Sequence, residues 1–217
     1  MVPGKKGGYV FGNCSSLEKI TIYHEYGYID PGSYCFYGCS NLKVFELWQV
    51  TEYEYDEAGN VVGYKTCVPT MFNGYSDNCF YGLTGITDQK KVPQSMDGVY
   101  IEGNAFAGTA FEILVLKYVE GLGEAWSTGN GATFSEAPNL KEVWLTPWEG
   151  GFSMTGKTFT NLSREVNFYF YENTYEELVE MCGEEWFTNA DEKAHFFFKG
   201  EIPEDVELPE GVVLPEE

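Results

Sequence analysis

The sequence predicts a β-rich solenoid, a right-handed coil of short parallel strands with an inserted β-hairpin and a C-terminal cap made of a helix and a strand. Two observations support this prediction. The stretch FGNCSSLEKITI at residues 11–22 returns as FYGCSNLKVFEL at residues 36–47. In both copies the last two apolar positions are two residues apart, so their side chains point to the same face of a short strand.

The repeat is found six times along the chain, with a degraded copy at Phe159 and the least complete copy at Phe80. Successive anchoring phenylalanines are 25, 44, 26, 28 and 25 residues apart. All steps but one lie in the range of about 20–29 residues that is typical of a leucine-rich repeat. One such strand cannot bury its apolar face alone, whereas stacked units bury a continuous core. The anchors are Phe11, Phe36, Phe80, Phe106, Phe134 and Phe159.

The one long step between anchors contains an insertion, YEYDEAGNVVGYK. Two runs of aromatic or β-branched residues flank the turn-forming residues Asp-Glu-Ala-Gly-Asn, which is the pattern of a β-hairpin. The sequence therefore predicts a hairpin near residues 51–65 that projects from one coil.

Beyond residue 170 the repeat pattern ends and a different pattern begins. Thr174 and Glu177 have the spacing of a capping box, and Gly183 is a stop signal, so a short helix is predicted near residues 175–182. A strand is expected at 195–198, before an acidic tail. Because the last coil of a solenoid exposes an unpaired edge, we interpret residues 171–217 as a C-terminal cap and acidic tail, and residues 1–170 as the solenoid.

The repeat units resemble those of the BspA-type leucine-rich-repeat proteins of bacterial cell surfaces, whose units read AF-x-G-C-x-x-L. The corresponding residues here are Phe36-Tyr-Gly-Cys39-Ser-Asn-Leu42 and Ala105-Phe106-Ala-Gly-Thr-Ala-Phe111. The resemblance covers roughly residues 10–170, although the prolines that follow the family's strands are mostly absent. It implies a cell-surface or extracellular location and a role in adhesion or binding, with a host or bacterial surface protein or a glycan as partner.

Charge and composition exclude other classes of partner. The chain has 34 Asp and Glu residues against 13 Lys and Arg, a formal net charge of −21 that repels phosphate backbones and anionic lipids. Nucleic acid is therefore not an expected partner. No run of about 18 apolar residues occurs and MVPGKKGGYV lacks the apolar core of a secretory signal, so neither membrane insertion nor a signal peptide is expected. The chain is expected to be either intracellular or a trimmed piece of an exported protein.

Catalytic and metal motifs are weak. Residues 151–158 match the pattern of a phosphate-binding P-loop, but a repeat unit follows where a helix is required, so we interpret Lys157 as dispensable. His24 and His195 are the only histidines and complete neither a zinc site nor a catalytic arrangement. The sequence therefore predicts no enzyme, no cofactor and no metal.

The six cysteines are best interpreted as small buried thiols. Cys14 and Cys39 occupy the repeat position that holds Thr109 and Ala137 in other copies, which favours a small buried side chain. Cys35 and Cys79 each precede an anchoring phenylalanine, and a disulfide between them stays open as an alternative.

A candidate binding surface is formed by aromatic residues at outward strand positions or just beyond the strands. Aromatic rings interleaved with carboxylates can hold sugars or peptides. The open alternative is that these rings pack under neighbouring loops or under the hairpin. The sequence thus predicts a non-catalytic binding or adhesion module, with a structural spacer or, less favoured, an enzyme as alternatives. The candidate residues are Tyr23, Trp48, Tyr118, Trp144, Trp148 and Tyr169.

Overall fold

The computed structural model describes residues 10–25, 32–69, 72–75, 79–89, 95–123, 131–155 and 157–215. Short strands dominate these residues, and two helices lie near the C-terminal end. The elements are β1 (Lys19–His24), β2 (Val44–Tyr55), β3 (Val61–Pro69), β4 (Phe72–Tyr75), β5 (Ser95–Ile101), β6 (Ile113–Leu122), β7 (Glu142–Pro147), β8 (Ser153–Met154), β9 (Val166–Phe170), α1 (Tyr175–Cys182), α2 (Glu185–Thr188) and β10 (Ala194–Phe198).

The strands form two sheets with parallel pairing between successive coils. In the first sheet β1 pairs with β2 in parallel, with Ile20 opposite Phe45, and β3 pairs with β2 antiparallel. The second sheet runs in the order β10-β9-β7-β6-β5-β4, and β8 pairs with β6. All pairings in this second sheet are parallel. The predicted β-solenoid is confirmed.

A continuous stack of phenylalanine rings forms the centre of the coil. Neighbouring anchor rings along the chain have centroids 5.5, 6.1, 6.1, 6.4 and 6.1 Å apart. The incomplete copy at Phe80 and the degraded copy at Phe159 both take part, so their weaker sequence patterns still form full coils. Each ring buries the next, which is why a single unit has no stable fold of its own.

The turn after each anchor requires an unusual backbone. The second residue after every anchoring phenylalanine has a positive φ, a conformation that Gly and Asn adopt most readily. From there Gly38 N–H donates to Tyr81 O and Gly108 N–H donates to Ser135 O, which ties adjacent coils together. Gly or Asn occupies five of these six positions, and Glu136 is the exception. The residues and φ angles are Asn13 60°, Gly38 68°, Gly82 72°, Gly108 65°, Glu136 55° and Asn161 56°.

The inserted hairpin is formed by β2 and β3. The pairing of β2 with β1 ends at Gln49, but β2 continues to Tyr55 and pairs there with β3 alone. The turn is closed by Asp56, whose Oδ1 accepts hydrogen bonds from Ala58 N–H at 2.9 Å and Asn60 N–H at 2.8 Å. These bonds lower the pKa of Asp56, the Asn60 side chain contributing most. The hairpin found at 51–65 by sequence therefore has a rigid tip.

The C-terminal region adds a further layer to the solenoid. Helix α1 begins with the predicted capping box, because the Thr174 side chain accepts from Glu177 N–H while the Glu177 side chain accepts from Thr174 N–H. Helix α2, which the sequence pattern did not indicate, places Trp186 against Phe159 with ring centroids 5.6 Å apart. Strand β10 then pairs in parallel with β9. The domain boundary at residue 170 stays a prediction, since the sheet continues across it.

Candidate binding surface

The outward side chains of the second sheet form rows across the strands. Trp144 lies opposite Val115 on one side and Tyr169 on the other, and Tyr169 lies opposite Phe197. Tyr169 lies inside β9 and not beyond the strand. We call Val115, Trp144, Tyr169 and Phe197 the outer ladder.

The two central side chains of the outer ladder are buried, and the outer two, Val115 and Phe197, are half-buried. Trp144 stacks on Tyr169 with ring centroids 4.1 Å apart, and Tyr169 stacks on Phe197 at 5.0 Å. Trp144 is 0% exposed and Tyr169 is 2% exposed, and burial raises the pKa of Tyr169. The prediction that these two residues lie on an exposed binding face is therefore wrong. The cover is residues 201–215, here called the C-terminal segment, which packs Ile202, Val206 and Val212 on the ladder.

The first sheet has an exposed aromatic face instead. Four rings follow one another across the sheet: Tyr23 to Tyr64 at 5.3 Å, Tyr64 to Tyr53 at 6.0 Å, and Tyr53 to Tyr55 at 6.3 Å. Tyr23 is 48% exposed, Tyr64 53% and Tyr55 61%. We call these four residues the tyrosine row. It contains one predicted residue, Tyr23, and three that sequence reasoning missed although all three lie in the insertion YEYDEAGNVVGYK.

Trp48 lies beside the tyrosine row. It is opposite Tyr23 in the β1–β2 pairing, opposite Pro69 in the β2–β3 pairing, and half-buried. Glu46, two residues earlier, accepts a hydrogen bond from Thr21 Oγ1 at 3.0 Å and lies 3.3 Å from Lys19 Nζ. The Thr21 bond, followed by the Lys19 interaction, lowers the pKa of Glu46. Carboxylate and aromatic groups are thus adjacent on this face.

Tyr118 lies within β6 and Trp148 directly follows β7, so both belong to the second sheet. They are 40% and 41% exposed, and Trp148 N–H donates to Val119 O at 2.9 Å. The Trp148 ring rests on Gly150, where an added Cβ would lie 2.1 Å from the ring. Tyr118 has a φ of 54° and its N–H donates to Thr146 Oγ1 at 3.0 Å. Both rings stay candidates, on a sheet other than the one that carries the tyrosine row.

The far side of the hairpin is charged. Lys65 forms an ion pair with Glu52, and the Glu54 carboxylate lies over Gly63, where an added Cβ would be 2.9 Å from Glu54 Oε2. Glu57 adds a further carboxylate at the exposed turn. The hairpin therefore presents tyrosines together with an excess of negative charge.

Thr158, the last residue of the apparent P-loop, and Phe159 after it pack inside the solenoid. Thr158 is fully buried, and its hydroxyl donates to Leu122 O at 3.2 Å and Thr155 O at 2.9 Å. Phe159 follows as a member of the ring stack, and α1 does not begin until Tyr175. Thr158 thus contacts backbone of its own fold, where a P-loop would present the hydroxyl to a metal–phosphate ligand. The expectation that Lys157 is dispensable stays a prediction.

None of the six cysteines, all of which lie in the described ranges, forms a disulfide. The alternative of a Cys35–Cys79 disulfide is therefore not adopted; both residues are buried, and burial raises the pKa of Cys35 to about 11. Cys14 departs from the expectation, because it is exposed while Cys39 is buried. Within the described ranges, no group of three His, Cys, Asp or Glu side chains is placed to hold a metal ion. No helix in these ranges is long and apolar enough to cross a bilayer.

Stacked parallel strands, one anchoring phenylalanine per coil and a left-handed turn residue after it define a leucine-rich-repeat solenoid. Residues 5–59 match the family model described as BspA type leucine rich repeat region (6 copies). The matched residues therefore carry the BspA-type repeat that the sequence resemblance indicated, and the stack of anchoring rings continues beyond them to Phe159. No curated protein and no solved structure matches the chain. Solenoids of this class commonly bind proteins and are typically non-catalytic.

Proposed function

We propose that the protein is a non-catalytic adhesion module of a bacterial cell-surface protein, and that it binds a partner protein through the tyrosine row. The observation that supports this is an unbroken line of four tyrosine rings, of which Tyr23, Tyr55 and Tyr64 are each about half exposed or more. Rings in this arrangement present a large apolar area together with hydroxyl groups, and tyrosine is enriched at protein interfaces.

The backbone beneath the row favours binding without rearrangement. The rings lie on paired strands, and the Asp56 turn fixes the tip of the hairpin through hydrogen bonds to Ala58 and Asn60. A surface that is already ordered loses little conformational entropy when a partner docks. The projecting hairpin also leaves the row accessible to a macromolecule.

Electrostatics favours a partner with basic groups at the contact. Glu46 lies on β2 beside Trp48, Asp56 and Glu57 lie at the turn, and the whole chain has a net charge of −21. Lys and Arg side chains satisfy such a surface through cation–π contacts with tyrosine and charge pairs with the carboxylates. A neutral glycan, the second ligand class that the family implies, would use the rings alone.

The experiment compares the wild type with Tyr55→Ala/Tyr64→Ala on protein and glycan arrays and on bacterial and host cells. Exposed hairpin residues contribute little to folding, so circular dichroism and melting should change little. Each ring that acts as a binding hot spot is worth more than about 1 kcal/mol, so the double variant should lose at least about 30-fold in affinity. Tyr118→Ala/Trp148→Ala is the matched control, with two rings of similar exposure on the second sheet.

The outcomes separate the alternatives. A spacer gives no ligand with any variant. If Tyr118→Ala/Trp148→Ala abolishes binding of the partner and Tyr55→Ala/Tyr64→Ala does not, the binding site lies at Tyr118 and Trp148. A glycan hit whose affinity is independent of salt would replace the basic protein as ligand, because charge-assisted binding weakens as ionic strength rises.

A further inference from the structure

The outer ladder is a preformed apolar face, and its cover is a separate stretch of chain. Its four side chains come from β6, β7, β9 and β10, which are held together by their own parallel pairing. The C-terminal segment crosses these strands without forming a strand or a helix. Its contribution is therefore to cover the ladder, and the ladder geometry is fixed by the sheet beneath.

The C-terminal segment is built from one short motif used twice. Ile202-Pro-Glu-Asp-Val206 is followed by Leu208-Pro-Glu-Gly-Val212. Each copy closes the same turn, since Val206 N–H donates to Pro203 O at 3.2 Å and Val212 N–H donates to Pro209 O at 3.1 Å. The segment thus brings its own folded turns to the ladder and contacts it through side chains.

One side chain of the sheet also reaches across to the segment. Lys117, on β6, donates a hydrogen bond through Nζ to Gly211 O. Ile202, Val206 and Val212 supply the apolar contact with the ladder. These contacts between the sheet and the C-terminal segment require only the segment's sequence and its turns. The same contacts can therefore form with a segment from another molecule.

The connection to the body is a single turn around Gly200. Lys199 N–H donates to Asn173 O, Glu201 N–H donates to Phe198 O, and Gly200 between them has a φ of 81°. Nothing lies within 4 Å of the position that a Cβ on Gly200 would take. A change in this one turn therefore redirects the segment without disturbing packed atoms.

We propose that the outer ladder also binds the C-terminal segment of a second copy of this chain, so that two chains exchange segments and form a dimer. The seated segment itself shows that the ladder fits this sequence. Reciprocal exchange keeps every contact and adds a two-fold relation between the copies. Within one chain the short connection gives an effective concentration in the millimolar range, so exchange prevails only above that range or when the turn is opened.

The test opens the turn. Gly200→Val places a β-branched residue where φ is positive, which disfavours the turn and favours an extended connection. The variant is expected to be dimeric at about 50 μM by light scattering, where the wild type is monomeric. Gly59→Val is the matched control: Gly59 has a φ of 85°, has no atom within 4 Å of its Cβ position, and lies at the hairpin tip. It should strain its turn equally and leave the protein monomeric.

A third variant assigns the contact. Val206→Ser/Val212→Ser in the Gly200→Val background removes the side chains that cover the ladder and should lower the dimer fraction at least tenfold. Higher salt should raise the dimer fraction, because two chains of charge −21 repel each other. A folded Gly200→Val protein that stays monomeric, or a dimer that survives the two serines, overturns the proposal.

The wild type gives an independent measurement if Gly200→Val does not fold. Concentrated to about 2 mM, above the effective concentration of the connection, and then rapidly diluted, it should contain dimer that decays back to monomer. Absence of any dimer at that concentration overturns the proposal as well.

Discussion

Replacing a central ring of the phenylalanine stack should destabilise the whole solenoid. Phe106 is 1% exposed and its ring lies 6.1 Å from Phe80, 6.4 Å from Phe134 and 6.2 Å from Phe111. Removing the ring in Phe106→Ala forfeits about 1.5–3 kcal/mol of apolar burial. The coils on both sides are held by backbone bonds and cannot collapse into the space, so the cavity raises the total cost to about 3–5 kcal/mol.

The matched control is Phe11→Ala at the end of the described stack. Phe11 is half-buried and its ring stacks on that of Phe36 at 5.5 Å. A partly solvated site leaves no closed cavity, so the expected cost is about 1–2 kcal/mol. Urea unfolding followed by circular dichroism measures both variants, and hydrogen exchange should show the Phe106→Ala loss spreading to the neighbouring coils. Equal costs for the two variants would refute the stack as the source of stability.

Three further outcomes are expected. Trp144→Ala should cost about 3–5 kcal/mol because the ring is fully buried, whereas Trp148→Ala, at an exposed site, should cost less than about 1 kcal/mol; similar melting temperatures would contradict this. Burial raises the pKa of Tyr171 to about 12 from 10, so the folded state holds this proton more tightly than the unfolded state does. The stabilising effect of this proton on the folded state is complete below pH 10 and is lost as the pH rises towards 12. Tyr171→Phe should therefore reduce the fall in melting temperature between these pH values. An unchanged fall would contradict the prediction. Gly131→Ala should destabilise by about 1–3 kcal/mol, because the new Cβ would lie 2.0 Å from Gly103 Cα and push two coils apart; a wild-type urea midpoint would show that the coils are not in contact there.

Local pattern was sufficient wherever short-range physics decides the outcome. The anchors, the Gly or Asn turn residue after them, the hairpin turn at Asp56 and the capping box of α1 each depend on residues a few positions apart. The incomplete copy at Phe80 was also found from its pattern, and the structure places Phe80 in the ring stack between Phe36 and Phe106. Helix α2 was missed, since Glu185–Thr188 is one short turn without a capping signal and its place is fixed by Trp186 packing on Phe159.

The candidate site could be predicted only in part. Sequence spacing correctly gave Trp144 an outward position on its strand, but outward does not mean exposed. The register between β7 and β9 was the first obstacle, because the pairing of Trp144 with Tyr169 depends on the path of the whole stretch 148–165 between the two strands. The second was the hairpin, whose tyrosines were assigned to a structural insertion although they form the most exposed aromatic row.

The sequence by itself determined that this chain is a repeat solenoid, because similar short units can bury their apolar faces only by stacking. It also determined the acidic surface, which follows from composition alone. Only the tertiary structure decided which aromatic rings face solvent. Trp144 and Tyr169 are covered by Val206 and Val212, residues far along the chain, and Tyr23 meets Tyr64 of the hairpin. Whether an outward side chain is buried depends on a distant segment that packs over it, and no local sequence pattern encodes that contact.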